Sequence, residues 1–130
     1  MMREAADMRS NVLDEDLQIC SGKPRTGFRR DGFCSGGPQD RGSHTVCAVM
    51  TNAFLRFTLE RGNDLTTPHP EWDFPGLQPG DHWCLCAARW EEARQAGVAP
   101  PVVLAACDKL CLQVIRREDL FAHAFAETTP

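Results

Sequence analysis

The chain has 130 residues, a formal charge of −4, 42% hydrophobic and 25% charged residues, enough for one ordinary core and too little for two. That charge gives no long-range attraction for nucleic acid or anionic lipid, and no apolar run approaches the roughly 18 residues of a membrane span. The opening Met1 to Met8 lacks the apolar centre of a secretory signal and carries acids that argue against a transit peptide, so the expected location is cytoplasmic.

In chain order, residues 1–11 carry no periodicity and read as a flexible arm, residues 12–126 as one globular domain and residues 127–130 as a tail. Residues 12–20 suggest a short strand around Leu17 and Ile19 that ends at Cys20. Residues 21–42, rich in Gly, Pro, Ser and Arg, read as loops or a hairpin anchored by Phe28 and Phe33, with Cys34 among them. The apolar, β-branched run from His44 to Met50 predicts a buried strand. Alternation puts Cys47 on one face with Thr45 and Val49, and His44 on the other with Val46.

Thr51 is a good helix cap, and Phe54, Leu55, Phe57, Thr58 and Leu59 make an apolar stripe through to Arg61, where Gly62 would close the helix. Residues 63–81 hold four prolines and two glycines among aromatics and acids, which excludes both a helix and a continuous strand. Trp72, Phe74 and Leu77 make this an ordered loop folded over the core.

The stretch from Gly80 to Trp90 concentrates the chemistry: two thiols, two indoles, an imidazole, a carboxylate and a guanidinium. It reads as a strand with His82, Cys84 and Cys86 on one face, running into a helix over residues 87–96 that Gly97 closes. Beyond Pro100 and Pro101, residues 102–106 read as a buried strand, residues 108–115 are ambiguous, and residues 117–125 form a terminal helix with acids in its first turn. The expected fold is α+β: a single small domain with a mixed sheet of three to five strands, about three helices mainly on one face and a long Pro-rich loop.

Several blocks are familiar in order: Gly42 to Thr51, Gly62 to Leu65, Thr67-Pro68, Phe74 to Leu77, Pro79 to Asp81, Trp83 to Ala87, Arg89-Trp90 and Ala96 to Leu104. From about Asn11 to Ala124 the chain resembles the family catalogued as domain of unknown function 2237. The resemblance implies a compact bacterial-type single domain and no assigned activity. It also implies that Cys20, Cys34, Cys47, Cys84 and Cys86 stand on family cysteine positions and that Cys107 and Cys111 do not. Phe33 departs from the pattern, standing where a further cysteine is expected, and His82 falls on a variable position.

Seven cysteines in a chain expected to be cytoplasmic point away from a disulfide framework and toward free thiols or metal ligation. Three functional readings follow. The leading one is a binding or interaction module, its small-molecule or protein partner unidentified, in which a pocket under the 63–81 loop is lined by His44, Asn63, Asp64, Trp72, Asp81, Trp83 and Arg89. The second is a zinc site drawn from Cys20, Cys34, Cys47, Cys84 and Cys86, although the single residue between Cys84 and Cys86 is tighter than zinc ribbons favour. The third is thiol catalysis or redox chemistry by Cys84 or Cys86. Cys86 precedes the helix that carries Arg89, with His44 and either Asp64 or Asp81 as partners.

Overall fold

The computed structural model describes residues 9–22, 26–28, 30–37 and 39–125. Residues 1–8 of the expected arm and the tail at 127–130 lie outside them. Asn11, assigned to the arm from sequence, is fully buried, and its amide nitrogen Nδ2 donates to the Ala105 carbonyl at 3.0 Å.

Among the described residues the chain forms two strands and three α-helices: β1 (His44–Val49), α1 (Asn52–Glu60), β2 (His82–Cys86), α2 (Ala87–Gln95) and α3 (Arg117–Phe121). The local signals act as read. Thr51 Oγ1 accepts the Phe54 amide at 3.1 Å and starts α1. At the other end Gly62 takes φ +88°, which lets the Gly62 and Asn63 amides reach back to the Leu59 and Thr58 carbonyls. This Schellman closure satisfies carbonyls that α1 leaves open. Gly97 closes α2 in the same way, with Val98 N–H donating to the Ala93 carbonyl at 2.9 Å.

β1 and β2 pair antiparallel, with Cys47 opposite Cys84 and Ala48 opposite Trp83, and a bulge falls between His44 and Val46. Among the described residues this sheet has two strands, where the sequence suggested a mixed sheet of three to five. The segment after Pro101 does run along the free edge of β1, since Val49 N–H donates to the Pro101 carbonyl and Val103 N–H to the Cys47 carbonyl. Two adjacent prolines supply no donors, and a 3-10 turn at Leu104–Ala106 interrupts the ladder, so Val102 makes only isolated bridges to Ala48 and Ala124. The strand expected at residues 12–20 is likewise reduced to one isolated bridge, from Asp16 back to Ser10.

The core gathers Val46, Ala48, Phe54, Leu85, Ala87, Trp90, Ala93, Val102 and Leu120 around this hairpin. α2 buries Ala87, Trp90 and Ala93, one apolar stripe against the sheet. Trp90 is fully buried, donates its indole N–H to the Pro100 carbonyl at 3.0 Å and meets His123 edge-on. The 63–81 loop closes over one end: Phe74 packs edge-to-face on Trp83, and a 3-10 turn at Pro70–Trp72 leaves Trp72 64% exposed against His69. No helix among the described residues is long and apolar enough to cross a membrane.

Candidate active site

Four of the seven cysteines are consumed in two disulfides, Cys20–Cys47 and Cys34–Cys84, while Cys86, Cys107 and Cys111 are free. The expectation of free thiols rather than a disulfide framework is corrected here. The physical reason is the register: Cys47 and Cys84 are direct cross-strand partners, so two sulfurs stand side by side on one face of the hairpin. The irregular 9–37 region lays one cysteine against each, with Cα–Cα separations of 5.7 Å for Cys20–Cys47 and 5.1 Å for Cys34–Cys84, inside the ordinary range for a bridge. The sulfurs of Cys20, Cys34 and Cys47 lie within 4.8 Å of one another, so three of the five cysteines nominated as metal ligands converge. In this form their pairing argues against a metal, because a disulfide sulfur has no thiolate to donate. Cys84, named as a candidate nucleophile, is spent in the same way.

Cys86 is different. It occupies the last position of β2 and the capping position of α2, is partly exposed, and no side chain caps the helix in its stead. A helix N-terminus favours negative charge and presents unpaired amides. Opposite Cys86 in the sheet stands His44. Simple alternation would have sent His44 to the other face. The bulge inserts Thr45 as an extra residue, and bulges redirect side chains in just this manner. His44 and Cys86 now line one cavity of about 190 Å³ together with Gly42, Asn63, Leu65, Trp83, Cys84, Leu85 and Arg89.

The imidazole is held from behind by Asp40. Its Oδ1 is 2.7 Å from His44 Nδ1, its Oδ2 accepts the His44 backbone N–H at 2.7 Å, and its side chain is only 3% exposed. With Nδ1–H donated to the carboxylate, Nε2 is the nitrogen left with a free lone pair. Phe28 stacks on the ring, and Gly42 leaves it room: a Cβ there would sit 2.9 Å from His44 Cε1. A second cavity of about 240 Å³, lined by Gly27, Phe28 and Arg30, shares His44, Leu65, Trp83 and Cys84 with the first and so adjoins it.

The remaining nominated residues divide. Asn63 and Arg89 line the cavity; Asn63 is set by the α1 closure and by its side-chain bond to Thr58 Oγ1. Arg89 donates to the Arg61 carbonyl at 3.2 Å and to Glu92 at 3.4 Å. Trp83 is a buried wall with the Arg30 guanidinium 5.1 Å from its ring centroid. Asp64 and Asp81 are not brought to the cavity lining. Asp64 ties its own turn by accepting from the Thr67 and Thr66 hydroxyls and amides, bonds that hold its carboxyl down to about 2. Asp81 Oδ2 accepts the Gln78 amide at 2.9 Å and closes the end of the loop. Trp72 lies on the surface against His69, away from Cys86. The carboxylate on His44 is therefore Asp40, which sequence reasoning missed. Its only signal was an acid four residues before a histidine across a Gly-Ser turn.

Cys107 and Cys111 are fully buried, and burial raises both thiols, Cys111 to about 12. Cys107 accepts the Cys47 amide at 3.3 Å. Neither has the setting of a nucleophile.

Together these features define a small α+β fold, stapled by two interleaved disulfides, with a free thiol and an imidazole at one cleft and a buried carboxylate behind the ring. The chain belongs to the DUF2237 family, described as an uncharacterized protein conserved in bacteria, whose model matches residues 10–124. No functionally curated protein matches the chain significantly.

Proposed function

We propose that the protein is a thiol-dependent enzyme in which Cys86 is the nucleophile, His44 the general base and Asp40 the residue that orients the base. The observation that carries this reading is the cross-strand pairing of His44 with Cys86 at a shared cavity, with Asp40 on the far nitrogen of the ring. Antiparallel partners lie about 4.5–5.5 Å apart at Cα, and with the ring held by Asp40 the approach of sulfur to Nε2 would come from rotation of the Cys86 side chain. The class of reaction is acyl transfer to sulfur. His44 Nε2 takes the thiol proton, the sulfur bonds to the acyl carbon, and the bond to the leaving group breaks as that group departs with the proton from the imidazolium. Water completes a hydrolytic cycle when His44 takes its proton, hydroxide adds to the thioester carbon, and the proton returns to the departing sulfur. The Ala87 amide is taken by the Ser43 carbonyl at 3.0 Å, so the donors for the developing oxyanion are the amides that follow it in the first turn of α2, which no side chain caps. Arg89 and Asn63 select a small substrate that carries an anionic group.

The same cavity also supports a plainer reading as a binding module for a small anion, because Arg89 and Asn63 line it whether or not the thiol reacts. Intact-mass measurement after incubation with small acyl thioesters bearing a carboxylate separates the two. An acyl adduct that maps to Cys86 and vanishes in Cys86→Ser supports catalysis, whereas thermal stabilisation undiminished in Cys86→Ser, without any adduct, supports binding alone. If no adduct forms and native Cys86 alkylates no faster than a cysteine in a free peptide, the catalytic proposal is wrong.

A further inference from the structure

The two disulfides form one sulfur cluster rather than two separate staples. Cys34 lies within 4.8 Å of both sulfurs of the Cys20–Cys47 bridge and is itself bonded to Cys84, and all four residues are buried. We infer that Cys20, Cys34, Cys47 and Cys84 form a redox-gated zinc site, closed to metal when oxidised and ligating one zinc ion through four thiolates when both bonds are reduced. The site shares Cys84 with the wall of the Cys86 cavity but does not use the Cys86 thiol.

The geometry supports the exchange. Four thiolates at about 2.3 Å from a tetrahedral zinc ion lie about 3.8 Å from one another. Breaking each disulfide frees bonded sulfurs to move apart toward that separation, the Cys34 distances to Cys20 and Cys47, within 4.8 Å, need contract by only about 1 Å, and Cys84, which stands outside that group of three, has to swing in once its bond to Cys34 is broken. The backbone supplies the frame, since Cys47 and Cys84 are fixed by the sheet register and the Cys84 amide is held by the buried Thr26 hydroxyl at 2.8 Å. The Cys20 amide is tied to the Gly32 carbonyl at 2.7 Å. The chemistry balances with a dithiol reductant. Each bridge takes two electrons and two protons from one dithiol, which becomes a cyclic disulfide, and zinc then displaces the four thiol protons. The sequence reading nominated these four together with Cys86, and the fold sets the four apart by pairing them while Cys86 stays free.

The test uses the full chain, stripped of metal, with Co2+ as probe and Zn2+ as competitor. After reduction under anaerobic conditions, about one Co2+ per chain should bind with the visible bands of a tetrahedral site and strong thiolate-to-metal absorption, and Zn2+ should displace it. The oxidised chain should show none of this. Cys34→Ser should weaken the thiolate absorption by roughly a quarter, while Cys86→Ser and Cys111→Ser leave it intact. Where a variant or the reduced chain loses its near-ultraviolet circular dichroism, zinc should restore that signal in the reduced wild-type chain. The inference is overturned if reduced protein binds well under one metal, if oxidised protein binds equally, or if zinc leaves an unfolded reduced chain unfolded.

Discussion

Replacing Cys34 and Cys84 together by alanine opens a loop of 50 residues, and replacing Cys20 and Cys47 opens one of 27. The chain-entropy relation assigns about 4.1 kcal/mol to the longer loop and about 3.5 kcal/mol to the shorter at room temperature. The loops overlap between residues 34 and 47, so each bridge already restricts the chain that the other closes, and the two figures overstate their sum. Domains of this size are stable by only about 5–15 kcal/mol, so either loss is a large fraction of the total. Losing both should leave a chain that is largely unfolded at ambient temperature unless another ligand replaces the bridges. The assay is urea unfolding of the oxidised wild-type chain and each double-alanine variant, with the dependence on denaturant compared so that a change in the denatured state is recognised. The premise is checked first by titrating thiols in denaturant without reductant. Seven cysteines less two bridges leave three reactive groups per chain. A count of seven, or a stability loss under about 1 kcal/mol for either pair, would refute the reasoning.

Other outcomes follow from the cleft and from the buried thiols. His44→Ala and Asp40→Asn should each slow native alkylation of Cys86 by at least about 10-fold near neutral pH, and Gly42→Ala should do so by displacing the imidazole; unchanged labelling rates would dissociate His44 from the thiol. Burial raises Cys111 to about 12 and raises Cys107 as well. Their contribution to stability is therefore complete below the unfolded thiol value near 8.5 and is lost as pH rises from there toward the folded values. Denaturant midpoints should fall between about pH 8 and about pH 10.5, and Cys111→Ala should flatten that fall; a midpoint rising over this range contradicts it. Asp64 has the opposite sign. Its lowered carboxyl contributes above the unfolded value near 3.9, and that contribution is lost as pH falls through about 2. Asp64→Asn should lower stability at neutral pH and shallow the acid limb of the unfolding curve, and an unaltered acid limb would show that the turn does not depend on the carboxylate.

Caps and closures depend on residues within one or two turns of each other, which is why Thr51, Gly62 and Gly97 were readable from sequence and bound α1 and α2 as expected. Cys86 at the junction of strand and helix was readable for the same reason. The sheet was over-read at Val102, where β-branched residues made a strand plausible but the adjoining prolines and a 3-10 turn broke the ladder. The face of His44 was misplaced because alternation assumes an unbroken strand. Asp64 and Asp81 looked available, yet each spends its oxygens on its own turn.

Local composition and periodicity thus indicated an α+β fold, its two longer helices, the two paired strands and the strand-helix junction that carries Cys86, the focus of the proposed site, since each of these depends on neighbours in the chain. The tertiary structure alone decided the partners of that focus. One extra residue in β1 turns His44 toward Cys86, the turn before it brings Asp40 behind the ring, and the strand register stacks Cys47 on Cys84 where Cys20 and Cys34 reach them. Register and long-range closure are set by the packing of the whole chain, so no window along the sequence contains them.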